Sequence, residues 1–449
     1  MNILRKFVQS DLYLGFITIV GLVIWLFQPS LLVSTGIIFV IASFLLITQK
    51  NSNGLLFLFL TMMVSNVAGS LVNFDSIVDL FTNVEVIITL CLIAVTFIEF
   101  LVFLGLNFKS KNKPSLWIGF IAILISFAIS GVRQDESTFI SNHFTDAVIL
   151  ALVIFVYFFF AFTLESNSKE YISKCFLYLS AFIGIQFILT YVLKDADLGD
   201  NIRPNLKWGI SNAGALIMLL GLPCGGYLYL KKSNTLYFVL TRFSFLALLL
   251  STSRGGILCA IPAYIATDVY CGLKVKDRKV FSLLCIGTIA IVLAGVVATL
   301  NYTQHYIQYI IDRFLQGDNL NDFSTGRIEL YQKAIEAFLS SPIIGIGTTL
   351  SVKYGVTAWY HSTLFDTLAA LGIVGLVAFG YHFYQKYRLL WKYKKDSFVI
   401  FMYIGIICSG LYGMIDVSYY NLIWLFIFVM MMAAIEAQVK VETLTPSNT

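Results

Sequence analysis

Residues 84–106, VEVIITLCLIAVTFIEFLVFLGL, decide the fold. The stretch contains no Lys, Arg, Pro or Asn, and its only charges are Glu85 at the edge and Glu99 inside. As a helix rising about 1.5 Å per residue it is long enough for a hydrocarbon core of about 30 Å. In lipid each backbone N–H and C=O must be satisfied within its own segment, so a continuous apolar run is a helix. The run does not alternate between apolar and polar residues, which argues against an outer-membrane barrel.

Similar runs lie on both sides of it, at 12–27, 31–48, 55–72, 116–131, 146–164, 172–193, 211–230, 235–250, 255–271, 280–300, 361–385, 398–415 and 418–438. The chain of 449 residues is 58% hydrophobic and 12% charged, with a mean hydropathy of +0.84. A soluble domain carries about 25% charged residues, so this chain cannot cover a water-facing surface of its size. The expected fold class is an all-α polytopic integral membrane protein with about 14 transmembrane helices, within a range of 12–14. Residues 1–449 form a single membrane domain.

Lys and Arg set the expected orientation. With the N-terminus inside, twenty of the thirty fall in inner connections and nine in outer ones, so both termini are expected in the cytoplasm. The first run follows Arg5 and Lys6, but Gln28-Pro29-Ser30 leads straight into the next run without a small-residue cleavage site. It is therefore expected to be an uncleaved first helix. The seven cysteines lie in the runs or at their ends, which implies no disulfide framework. The net charge of +5 follows from the inner basic residues and gives no reason to expect nucleic acid as a partner.

The outer connections are unequal in length. Most are short, whereas 301–360 is a large extracytoplasmic loop before the twelfth span, too long for a connector alone. Within it Ile328, Tyr331, Ile335, Phe338 and Leu339 recur at helical spacing. Ser324 or Thr325 can cap the start of this helix and Pro342 closes its end. An amphipathic helix over the outer mouth of the bundle is expected. The turn-rich stretch Ser341-Pro342-Ile343-Ile344-Gly345-Ile346-Gly347 follows, and Tyr360-His361-Ser362 opens the next span.

Three sets of residues resemble the O-antigen ligase and polymerase superfamily of bacterial glycan assembly. The first is His361-Ser362 followed, nine residues later, by Gly372-Ile-Val-Gly375. The second is Gly326-Arg327 at the head of the amphipathic helix that ends in Ser-Pro before Gly-x-Gly. The third is Ser253-Arg254-Gly255-Gly256 at an outer turn, preceded by a loop with Arg203, then Asn212 and Gly214. The shared architecture covers roughly 195–385, the family-like catalytic region.

The resemblance implies a glycan on undecaprenyl diphosphate as donor and direct, inverting attack with no covalent intermediate. Negative charge develops on the diphosphate leaving group, and fixed cations in a partly desolvated site stabilise it. Arginine suits this because its planar fork grips phosphate oxygens in pairs and keeps its charge. An imidazole at an outer span end can take the proton of an acceptor hydroxyl near neutral pH. His361, Arg327 and Arg203 are the catalytic candidates. Arg254, Asn212, Lys207, Lys333 and Tyr360 are the substrate-binding candidates, and Trp208, Trp359 and Tyr360 are expected to stack on sugar faces. Each has a simpler reading, since interfacial His and Arg residues often only anchor to headgroups.

Asp195-x-Asp197 has the form of a metal-dependent transferase motif, but in such transferases the acidic pair lies in the first outer loop, here Gln28-Pro29-Ser30. No metal or cofactor is expected. Within the spans, Glu99 and Asp366 are intramembrane acids, and Asp366 is expected to pair with another helix.

The leading expectation is a glycosyltransferase of the bacterial inner membrane that polymerises lipid-linked oligosaccharide repeat units (O-antigen, capsule or exopolysaccharide), its site facing the periplasm or cell exterior. Its expected partners are the lipid-linked glycan, membrane lipids, and a chain-length regulator and flippase of the same pathway. Two alternatives stay open: an O-antigen ligase acting on lipid A-core, and a flippase or other transporter. A transporter should show paired repeats and interrupted spans around a central polar cavity, and neither is legible in the chain.

Overall fold

The computed structural model describes residues 2–65, 84–109, 114–131, 145–193, 204–298, 308, 326–347 and 360–439. These residues form helices and no strand, apart from a bridge between Asn205 and Ile210. In chain order the helices are α1 (Asn2–Val8), α2 (Asp11–Phe27), α3 (Leu31–Thr48), α4 (Asn53–Met63), α5 (Val84–Asn107) and α6 (Trp117–Gly131). Next come α7 (Thr145–Thr163), α8 (Lys169–Val192), α9 (Ser211–Gly221), α10 (Cys224–Lys232), α11 (Thr235–Leu249) and α12 (Arg254–Lys274). The last are α13 (Arg278–Ala298), α14 (Arg327–Ser340), α15 (Thr363–Lys392), α16 (Ser397–Gly413) and α17 (Leu422–Val439).

Every apolar run read from the sequence contains a helix among its described residues; 66–72 and 299–300 lie outside them. Among the described residues, seven helical segments are long and apolar enough to cross a membrane, α9 and α10 together counting as one of them, and six further apolar helices have 10–17 residues. The run at 211–230 is divided at Pro223, which stands at the cap position of α10. Its ring has no N–H for the helix ladder and bends the chain there.

The bundle is packed around α8, α9 and α17, whose side chains are mostly buried on all sides. Helices α3, α5 and α13 lie at the periphery and expose large apolar side chains such as Val40 on α3, Ile98 on α5 and Ile286 on α13. Such faces would aggregate in water but are ordinary against lipid tails. Glu99, on α5, accepts a 2.6 Å hydrogen bond from Ser43 Oγ of α3.

The two ends of the bundle differ. At one end Lys174 pairs with Asp11 at 2.9 Å, Lys169 with Asp396 at 2.7 Å, and Arg5 with Glu165. Ser168 N–H donates to Gln438 at the same end. At the opposite end of α2, Trp25 Nε1 donates to the carbonyl of Leu206 at 2.6 Å. Connections read as inner thus meet one another at one end, and those read as outer meet at the other.

The twelfth run contains a break that the pattern of apolar residues does not announce. Within α15, Gly372 has φ 61° and ψ −152°, which divides the helix into 363–371 and 373–392. This region of backbone space belongs essentially to glycine. A break leaves carbonyls and amides without intrahelical partners, and the stretch after α14 supplies them. Ile346 N–H donates to Ala369 O at 2.9 Å and Gly347 N–H to Ala370 O at 3.0 Å. Ile373 N–H donates to Pro342 O at 2.9 Å and Val374 N–H to Ile343 O at 3.1 Å. Ser130 Oγ of α6 adds a 2.6 Å bond to Ala370 O. The Gly-x-Gly and Gly-x-x-Gly elements are therefore two halves of one clasp.

Of the expected outer segment 301–360, the structure describes 308, 326–347 and 360. Helix α14 begins after Gly326, which holds φ +78° at the cap position; Ser324 and Thr325 lie outside the described residues. The helix docks on α15 through Leu330, Ala334 and Ala337, against Tyr360, Phe365, Ala369 and Ile346. Of the expected apolar face, Tyr331 stacks on Phe365 of α15 while Ile335 and Leu339 are exposed, and the closest approach of the two helices runs through alanines.

Candidate active site

The site assembles around a residue that the sequence reading did not single out. Asp416 lies in the connection 414–421 between α16 and α17 and is 6% exposed. Its Oδ2 accepts from Asn212 Nδ2 at 2.6 Å and from the Tyr412 hydroxyl at 3.3 Å. Arg327 NH2 stands 3.9 Å from the same oxygen. On the other side, Oδ1 accepts from Val417 N–H at 2.7 Å and faces His361 Nδ1 at 3.6 Å. The last distance is slightly longer than a hydrogen bond. One carboxylate thus joins the start of α9, the start of α14 and the segment before α15.

Burial alone would raise the Asp416 carboxyl, but His361, the Val417 amide and the Arg327 charge outweigh it. The group is held below its ordinary value. A carboxyl depressed in the folded state adds stability above its unfolded value, near 3.9, and loses it as pH falls through the lower folded value. The stability difference between wild type and Asp416→Asn should therefore be unchanged from pH 7 to 5 and shrink below about pH 4. Thermal unfolding of the detergent-purified proteins at pH 7, 5 and 3.5 measures this, and a constant difference throughout would refute the assignment.

His361 is held in the left-handed region, at φ +53°, a conformation uncommon outside glycine. Contacts on both sides impose it. Asp366 Oδ1 accepts from Tyr360 N–H at 2.9 Å, before the histidine. Ser362, after it, caps α15 by accepting from Phe365 N–H. The Tyr331 hydroxyl reaches the His361 carbonyl at 3.4 Å while its ring stacks on Phe365, with centroids 4.2 Å apart. The partner of Asp366 is thus its own local backbone and not another helix. With Nδ1 buried and the side chain 34% exposed, the open edge of the ring carries Nε2.

The connection bearing Asp416 is fastened to α15 by side-chain hydroxyls. Thr363 Oγ1 and Ser418 Oγ lie 3.0 Å apart, and the Tyr420 hydroxyl donates to Thr367 Oγ1 at 3.1 Å. Tyr412 is in turn 2.6 Å from Ser253 Oγ, the capping hydroxyl of α12. This brings the Ser253-Arg254 turn to the same cluster, with Arg254 half-buried as the first residue of α12.

The remaining candidates lie elsewhere. Lys207 has its ammonium 5.0 Å from the ring of Trp25, and Lys333 pairs with Glu329 on its own helix at 2.8 Å. Tyr360 is buried in the seam between α14 and α15. Trp208 is buried with Nε1 on Gln186 Oε1 at 2.8 Å. Arg203, Asp195, Asp197 and Trp359 lie outside the described residues. The signal for Asp416 was present in the sequence, as the one acid in a very short connection read as outer between the last two spans.

Chemically the cluster offers an imidazole oriented by a carboxylate, with its second nitrogen accessible, beside a guanidinium at a helix start. Carboxylate contact at Nδ1 favours the tautomer whose Nε2 can accept a proton. Residues 239–380 match the O-antigen ligase family. The match runs from α11 into α15 and includes Arg254, Arg327 and His361; Asn212 and Asp416 lie outside it. Comparison with curated proteins gives no match.

Proposed function

We propose, from the O-antigen ligase family domain that the chain carries, that it is a membrane glycosyltransferase polymerising oligosaccharide repeat units linked to undecaprenyl diphosphate. The observation that carries this reading is the convergence of His361, Arg327 and Asn212 on Asp416. In the proposed reaction His361 Nε2 takes the proton of an acceptor sugar hydroxyl as its oxygen attacks the anomeric carbon. The bond from that carbon to the diphosphate breaks, and the leaving oxygen carries the charge away. Arg327 stands beside the path of that charge, with Arg254 and Arg203 as further cations. Asp416 stabilises the imidazolium that forms, as a carboxylate partner does in other His-dependent catalysis.

In this reading the site faces the periplasm or cell exterior, where lipid-linked units arrive, and both termini lie in the cytoplasm. The second reading, ligase action on lipid A-core, uses the same residues with a different acceptor.

The lipid-linked glycan of a strain lacking the gene separates the two. Undecaprenyl diphosphate bearing only single repeat units means that polymerisation is the missing step. Long polymer that stays on the carrier assigns the protein to ligation and overturns the polymerase reading.

A further inference from the structure

At the end of the bundle remote from Asp416, a cavity of about 790 Å³ is bounded by the turn before α8, the first turns of α8 and the last turn of α10. Four lysines line it, Lys169, Lys174, Lys231 and Lys232, against two acids, Glu165 and Glu170. The lysines are not equally committed. Lys174 and Lys169 are held by Asp11 and Asp396, which tie α8 to its neighbours. Lys232 pairs with Glu170 at 2.9 Å, but both side chains are over two-fifths exposed, so water screens the pair and it holds weakly. Lys231 lies 6.0 Å from the centroid of the Tyr227 ring, and no carboxylate among the described residues is within ion-pair distance of it.

The start of α8 adds to this field. Ser168 occupies its cap position, but its hydroxyl donates to Glu165 O and accepts from Asn53 Nδ2, so it does not cap the helix. The positive end of the α8 dipole therefore borders the cavity without a capping side chain. Such a basic recess at the end of a bundle of apolar helices suits a phosphate group.

The geometry points to a second binding site here, one that takes a phosphate group on Lys231 and Lys232, with Glu170 as its competitor for Lys232. An anionic phospholipid headgroup and a soluble phosphate share this chemistry. The site lies apart from the Asp416 cluster and does not depend on the transfer reaction.

The test uses the full chain, purified and placed in nanodiscs of phosphatidylcholine with a minor share of phosphatidylglycerol. Lipid retained by the protein is read by mass spectrometry, and thermal shift with inorganic phosphate is read in detergent. Retention of phosphatidylglycerol by the wild type, at least tenfold weaker in Lys231→Gln/Lys232→Gln, supports the site with a lipid as its source. The same variant dependence seen only with inorganic phosphate supports it with a soluble source. Glu170→Gln should bind more tightly than wild type, a gain that a damaged fold would not produce. Equal binding by wild type and the lysine variant overturns the proposal, as does an equal loss in Arg278→Gln/Lys279→Gln, which changes charge outside the cavity.

Discussion

Asp416→Asn should slow glycan transfer by about 10²–10⁴-fold while leaving the protein folded in the membrane. Asparagine keeps the shape of the side chain but has one acceptor oxygen in place of two. If that oxygen stays with Asn212, Arg327 and Tyr412, the new NH₂ faces Val417 N–H and His361 Nδ1. The imidazole tautomer with a proton-accepting Nε2 then loses its support. In the opposite orientation the NH₂ confronts the Asn212 amide and the Arg327 guanidinium, and donors meet donors. Transfer rates of purified protein on lipid-linked oligosaccharide, alongside protein level in membranes, measure the effect. A rate within threefold of wild type would remove Asp416 from the mechanism.

Gly345→Ala should lower both stability and activity, by a different route. Gly345 has φ +71°, and a Cβ placed there would meet Ala370 O at 2.2 Å. That oxygen belongs to the clasp between 342–347 and the break in α15, so neither backbone can give way without losing the bonds that satisfy the other. A left-handed or otherwise strained residue costs about 1–3 kcal/mol before any clash is counted. The clash adds the loss of the hydrogen bonds that close the clasp. The expected result is a thermal midpoint lower by several degrees and a transfer rate below a tenth of wild type, because the clasp joins the helix of Arg327 to that of His361. Gly287→Ala, on the open face of α13, has nothing within 4 Å of its new Cβ and serves as the control. Equal midpoints for the two variants would contradict the role given to the clasp.

The helices were legible because the runs are long, nearly free of charge and bounded by charged or turn residues. The division of 211–230 at Pro223 escapes a reading by hydropathy, which gives one run, although a proline inside a helix carries that signal. The break at Gly372 was less open to reading. Its glycine was noted as part of a spacing, but the reason for it lies in the backbone of 342–347, some thirty residues away. The docking face of α14 was legible only in part, in Tyr331, because hydrophobic spacing marks the large side chains, whereas close approach to α15 also uses Ala334 and Ala337.

In the site, His361, Arg327 and Asn212 were named from motif and topology, and the structure brings all three to one carboxylate. Asp416 is a lone acid in a short connection, with no motif spacing to mark it. Its importance depends on which helix starts surround it, a property of tertiary packing. For Tyr360 and Trp208, aromatic character suggested stacking on sugars, while burial in seams is the commoner use of such rings.

The central claim is that His361 and Asp416 act as one unit, the carboxylate serving through the imidazole. Groups that act as a unit are strongly non-additive when removed together. The direct measurement is the transfer rate of His361→Ala, Asp416→Asn and the double variant, all purified and given the same lipid-linked oligosaccharide. The double variant should be no slower than His361→Ala alone. Losses that multiply would mean that the two residues serve the reaction separately, and the His–Asp assignment would fall.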